Sequence, residues 1–89
     1  MKILVVCGNG LGSSFIIELN VKKALSQLGE EAEVAHTDLA TARTEEADIY
    51  IGAEDIIHQL DDGNRNVIAL DNVMDVDQIK EKLTPYFSS

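Results

Sequence analysis

Cys7-Gly8-Asn9-Gly10-Leu11-Gly12-Ser13-Ser14 is the stretch whose residue types could do chemistry. Its glycines at 8, 10 and 12 permit positive φ angles and let successive backbone N–H groups converge on one point. Ser13 or Ser14 can begin a helix, whose amino terminus adds partial positive charge there. An oxyanion fits such a point. A thiol placed beside it has its thiolate favoured by the N–H donors and the helix dipole. On this reading Cys7 is a nucleophile, facing a phosphate cradle built by Gly8, Asn9, Gly10, Leu11, Gly12, Ser13 and Ser14. The competing reading makes Cys7 a small buried apolar residue that ends a strand, the common fate of a free cysteine. That role requires no ring of donors.

Known phosphate-binding patterns fit this loop incompletely. A dinucleotide fingerprint G-x-G-x-x-G would set its third glycine at 13, where Ser13 stands, and 89 residues leave no room for a second mononucleotide half. A Walker loop needs a lysine that is missing here. A small cysteine phosphatase or arsenate reductase carries C-x5-R-S, which matches Ser14 but puts Ser13 in place of the clamping arginine. Hydrolysis also needs a general acid, and the chain has no Asp-Pro pair, since its one proline, Pro85, follows Thr84. The loop can hold a phosphoryl group without being equipped to release it to water.

These residues need a strand behind the cysteine and a helix ahead of the serines. Ile3-Leu4-Val5-Val6 is a short, β-branched apolar run, the signature of a central parallel strand covered on both faces. Ile17, Val21, Ala24 and Leu28 recur at spacings of 4, 3 and 4, which predicts a helix from Ser13 or Ser14 ended by Gly29. Glu18 and Lys22 are expected as an i,i+4 pair on its exposed side. From Glu31 to Thr37 the residues alternate, with Ala32, Val34 and His36 on one face, as in an edge strand. Asp38 to Glu46 reads as a loop with at most one or two helical turns. Ala47 to Ile51 and Val67 to Leu70 predict two more strands, separated by a helix over Glu54 to Leu60 and an Asp61-Asp62-Gly63-Asn64 turn. A last helix starts near Asp75 or Asp77 with Val76, Ile79 and Leu83 inward, and Pro85 is expected to kink or end it.

Strands alternating with helices give an α/β fold. The expectation is a single three-layer domain over residues 1–89, with a four-stranded open parallel sheet in the order 2-1-3-4 and a phosphatase-like loop after strand one. This is a flavodoxin-like half-Rossmann arrangement. Ligands of such sheets sit at the carboxyl ends of the strands, beside the switch between strands one and three, where Cys7 falls.

Composition narrows the function. Seven Lys and Arg against 16 Asp and Glu give a net charge of −9, which repels nucleic acid and anionic headgroups alike. The longest apolar run, Ile3 to Cys7, is far short of the ~20 residues that span a bilayer, so a cytoplasmic location without membrane insertion is expected. A lone cysteine forms no internal disulfide, and two distant histidines make no zinc-like cluster, so no metal and no cofactor are expected. His36 falls near the carboxyl end of strand two and could approach the cradle, although an edge histidine is more often a hydrogen-bonding residue. His58 is expected in solvent. The pairs Glu54-Asp55 and Asp61-Asp62 fall at a helix start and a turn, where carboxylates serve locally. Thr37, Asp38, Asp71 and Asn72 follow strands and border the loop as rim candidates.

From Ile3 to Ser14 the sequence resembles the phosphocysteine loop of enzyme IIB components of the bacterial phosphoenolpyruvate-dependent sugar phosphotransferase system. The Cys-Gly-Asn-Gly form is most similar to the ascorbate type, with galactitol-type relatives next. The resemblance implies a phosphotransferase in which Cys7 accepts a phosphoryl group from a phosphohistidine on a IIA protein and passes it to a sugar held by a IIC membrane transporter. It implies that Gly8 to Ser14 form the cradle, and the chain is expected to be a monomer when isolated. A non-enzymatic anion- or nucleotide-binding module remains the alternative outside catalysis.

Overall fold

The computed structural model describes residues 1–7, 13–60, 63, 65–72 and 74–87, with the backbone course alone for Cys7, Ser13 and Ser14. The cradle residues Gly8 to Gly12, and Asp61, Asp62 and Asn64 of the turn cluster, lie outside the described residues. The elements run β1 (Lys2–Cys7), α1 (Ser13–Leu28), β2 (Glu33–Asp38), α2 (Leu39–Ala42), β3 (Ile49–Ala53), α3 (Glu54–Ile57, continued by a 3-10 turn His58–Leu60), β4 (Val67–Leu70) and α4 (Val76–Phe87). The four strands form one parallel sheet in the order β2-β1-β3-β4, the expected open arrangement of a flavodoxin-like α/β fold.

The apolar run of β1 explains its central place. Ile3, Leu4, Val5 and Val6 are all buried, and alternation along the strand divides them between two cores. Ile3 and Val5 pack with Ile17, Val21, Ala24 and Leu25 of α1 and with Ile79 and Leu83 of α4. Leu4 and Val6 pack on the other face with Ala42, Tyr50, Ile57 and Leu60. Helices thus cover both faces, as a parallel sheet with two apolar faces requires. Each fully buried aliphatic side chain contributes about 1.5–3 kcal/mol. The predicted stripe of α1 holds, with Leu28 partly buried against the same core, and Gly29 ends the helix at φ +72°.

Several boundaries and one exposure differ from expectation. Glu18 is not on an exposed side: it is only 8% exposed, because position 18 shares the arc of Ile17, Val21 and Leu25 that meets the sheet. Its ion pair with Lys22 does form, at 3.7 Å. β2 begins at Glu33 rather than Glu31 and reaches Asp38, whose carboxylate accepts the Thr41 N–H at 2.7 Å and starts the single turn of α2. β3 spans Ile49–Ala53 rather than 47–51. Its amino end is held off by Tyr50, whose hydroxyl accepts the Ala47 N–H at 3.2 Å and donates to the Glu45 carbonyl. Its carboxyl end runs on because Gly52 has no side chain: a Cβ there would stand 2.6 Å from the Val6 carbonyl oxygen. Pro85 does not end α4, which continues to Phe87. Thr84 Oγ1 donates to the Lys80 carbonyl at 2.7 Å, holding the residue before the proline in helical geometry, and Phe87 packs against the core beyond it.

Candidate functional site

The parallel sheet brings the carboxyl ends of all four strands to one edge. The backbone of Cys7 ends the central strand there, and α1 starts at Ser13, so strand, loop and helix amino terminus follow one another as the sequence suggested. Cys7 is in register with Asp38 of β2, while Val6 is in register with Gly52 of β3. Leu70 of β4 is in register with Ala53, which places Asp71 beside Glu54 at the far side of the edge.

Thr37 is half-buried near the end of β2, and the other three rim candidates, Asp38, Asp71 and Asn72, are engaged locally. Hydrogen bonds from Thr41 hold the Asp38 carboxyl below its ordinary range, so it keeps its charge at the β2 end. Gln78 Oε1 accepts the N–H groups of Asp71 and Asn72 at 3.1 and 3.3 Å, and Asn72 Oδ1 accepts from Met74 N–H at 3.0 Å. A hydrogen bond to Asp71, then repulsion by its charge, raises the Glu54 carboxyl above its usual range. Glu54, Asp55, His58 and Asp71 line an open hollow of about 620 Å³. His58 is exposed and donates from Nδ1 to the Glu54 carbonyl at 3.1 Å. Among the described residues no three His, Cys, Asp or Glu gather where they could hold a metal ion.

His36 is tied rather than free. Its Nδ1 lies 2.9 Å from Glu18 Oε1, with the imidazole half exposed and the carboxylate buried beneath. Sequence reasoning missed Glu18 because a carboxylate between apolar helix positions reads as solvent-facing. The signal was the histidine on the strand face that turns toward the same helix, since a buried carboxylate requires a partner. A groove of about 740 Å³ lies at the opposite end of the sheet among Lys2, Arg43, Glu45, Asp48, Tyr50 and Arg65. There the Arg65 guanidinium stacks 5.6 Å from the Tyr50 ring centre, a contact that closes the amino end of β3.

A parallel α/β sheet whose central strand delivers a cysteine to a glycine-rich loop defines a class of small phosphate-handling proteins. Residues 2–85 match the family described as the PTS system, lactose/cellobiose specific IIB subunit. A relative from Mycoplasma pneumoniae (strain ATCC 29342 / M129 / Subtype 1), the ascorbate-specific PTS system EIIB component, is 32% identical over 90 aligned positions, covering 94% of this chain and 92% of its own length. The chain belongs to the IIB family of the sugar phosphotransferase system, and IIB components are phosphotransferases. They work with IIA and IIC partners. Among the described residues no helix is long and apolar enough to cross a membrane.

Proposed function

We propose that the chain is a cytoplasmic phosphoryl relay acting as one unit over residues 1–89, and that Cys7 is its phosphoryl carrier. The Cys7 thiolate attacks the phosphorus of a phosphohistidine on IIA, forming the S–P bond as the N–P bond breaks and its electron pair returns to the imidazole. A sugar hydroxyl bound by IIC then attacks the same phosphorus, and the sulfur leaves as thiolate while the hydroxyl proton passes to solvent or a base of IIC. Similarity to the ascorbate-specific relative favours ascorbate as that sugar. The observation that carries this reading is the placement of Cys7 at the carboxyl end of β1, one loop ahead of the α1 amino terminus.

In this relay Gly8, Asn9, Gly10, Leu11, Gly12, Ser13 and Ser14 hold the phosphoryl oxygens through backbone N–H groups and the helix dipole. Asp38, Glu54 and Asp71 at this edge are carboxylates that cannot clamp a phosphate, which favours that division of labour. A carrier must accept and donate at similar free energy, which suits a site with neither clamping arginine nor hydrolytic acid. Incubation with phosphoenolpyruvate, its relay enzymes and IIA, followed by mass mapping, should place one acid-labile phosphate on Cys7 and none on Cys7→Ser. Phosphate on His36, His58 or a serine would sink the assignment, and steady aryl-phosphate hydrolysis dependent on Cys7 would point to a phosphatase.

A further inference from the structure

Four of the six large apolar side chains exposed among the described residues sit at the carboxyl end of the sheet: Phe15, Ile16 and Leu19 on the first turns of α1, and Met74 ahead of α4. Phe15 is 54% and Leu19 48% exposed, and with Ile16 they share one face of the helix. Single exposed apolar residues mean little, but three adjacent ones on the helix that leaves the cysteine loop form a patch. The same face continues one turn on into Lys22 and Lys23, the sole adjacent basic pair in the sequence. The one carboxylate of α1, Glu18, is buried and engaged with His36 and Lys22. In a chain of net charge −9, this helix therefore presents apolar surface edged by positive charge.

We propose that this face of α1, with Phe15, Ile16 and Leu19 at its centre and Lys22 and Lys23 at its edge, is the docking surface for the phosphoryl-donating IIA protein, which meets it with an apolar surface edged by carboxylates. The proposal rests on the relay reading above and assigns one partner to one face. Charge decides between the two partners. Cytoplasmic loops of membrane proteins are enriched in Lys and Arg, so a membrane-embedded IIC component would set lysine against lysine here, while the acidic remainder of the chain suits it. A donor with carboxylates around an apolar centre complements both parts of the face. Burial of the three apolar side chains holds the complex, and the lysines speed encounter and fix orientation.

The test is the rate of Cys7 loading against the concentration of phosphorylated IIA, for the wild type, Leu19→Asp and Lys23→Glu, at low and high salt. Both positions are exposed, and thermal melts check that the variants remain folded. For Leu19→Asp the KM for IIA should rise about tenfold or more with kcat within about twofold. Lys23→Glu should raise KM about threefold and weaken its salt dependence. Unchanged KM in both variants overturns the docking surface and leaves the relay standing; a wild-type chain that takes no phosphate removes the relay and this proposal with it. Normal loading with slowed delivery to vesicles carrying IIC assigns the face to the membrane partner instead. A dimer in sedimentation that Leu19→Asp dissolves assigns it to a second copy, and either result overturns the proposal.

Discussion

Gly52→Ala tests whether the sheet itself sets the position of the cysteine. Gly52 is in register with Val6, the residue before Cys7, and an added Cβ would lie 2.6 Å from the Val6 carbonyl oxygen and 3.6 Å from Ile57 Cβ and Cδ1. Carbon–oxygen contacts of this kind close to about 3.3 Å, so β1 and β3 must separate by roughly 0.7 Å. The obstacle is backbone and cannot rotate aside. Overpacking of this order costs about 1–3 kcal/mol. Gly52 has no positive φ, so alanine also restricts the unfolded chain and returns about 0.4–1 kcal/mol. The clash wins, leaving a net loss of about 1–2 kcal/mol and a Tm lower by about 4–15 °C for a chain of this size. Because the strain falls one residue from Cys7, and a 1 Å misplacement can cost about 100-fold, transfer from IIA should slow by about tenfold at a temperature where the protein remains folded. Leu83→Ala is the control: it opens a cavity in the core toward the far end of α4, costs about 2–5 kcal/mol, and should leave the transfer rate near wild type. Calorimetry and single-turnover transfer read both variants. Wild-type Tm and rate in Gly52→Ala, or an equal slowing in Leu83→Ala, would refute the reasoning.

Three further outcomes are expected. Val21→Asp should abolish cooperative thermal unfolding followed by circular dichroism, since Val21 is fully buried between α1 and the sheet and an aspartate there has no partner. Glu54 binds its proton more tightly in the folded chain because of Asp71, so its stabilising contribution is present below the ordinary glutamate range and is lost as pH rises through its raised value. Glu54→Gln should therefore melt above the wild type at neutral pH, with the difference closing in melts taken down to about pH 3. Asp38 shows the opposite sign: its cap on α2 stabilises above the ordinary aspartate range and fades as pH falls through its lowered value. Asp38→Ala should melt below the wild type at neutral pH and converge with it in strong acid, and a pH-independent gap would contradict the capping role.

Sequence and structure agree where one physical signal dominates. The run Ile3 to Val6 could only be buried on both faces, and β1 is the central strand; Val67 to Leu70 forms β4 with the expected bounds. Agreement fails where one particular side-chain contact, rather than polarity or periodicity, decides the outcome. The burial of Glu18 depends on His36, a residue of another element, and helical periodicity registers only the polarity of a carboxylate. The start of β3 depends on the Tyr50 hydroxyl folding back onto Glu45 and Ala47, which turns two nominally strand-forming positions into a lead-in. Pro85 follows a general rule that the Thr84 hydroxyl and the packing of Phe87 override. For the site, the family was legible in the twelve residues from Ile3 to Ser14, whereas the apolar face of α1 was not. Phe15, Ile16 and Leu19 have the same polarity as the core residues Ile17 and Val21 beside them, and only the packed structure separates the buried from the exposed.

The two strands that border β1 both come later in the chain, β2 from Glu33 and β3 from Ile49. During synthesis, at about 5–20 residues per second, Cys7 therefore leaves the ribosome seconds before either neighbour of its strand exists. Through that interval its sulfur is an ordinary thiol on an unfolded chain, as open to oxidants as any other. On the relay proposed above, closure of the sheet by Ile49–Ala53 is the event that would turn it into a positioned nucleophile. If Cys7 carries the phosphoryl group as proposed, a nascent or truncated chain lacking β3 should not draw phosphate out of the relay, and the topology itself would keep unfinished copies out of the phosphoryl flux.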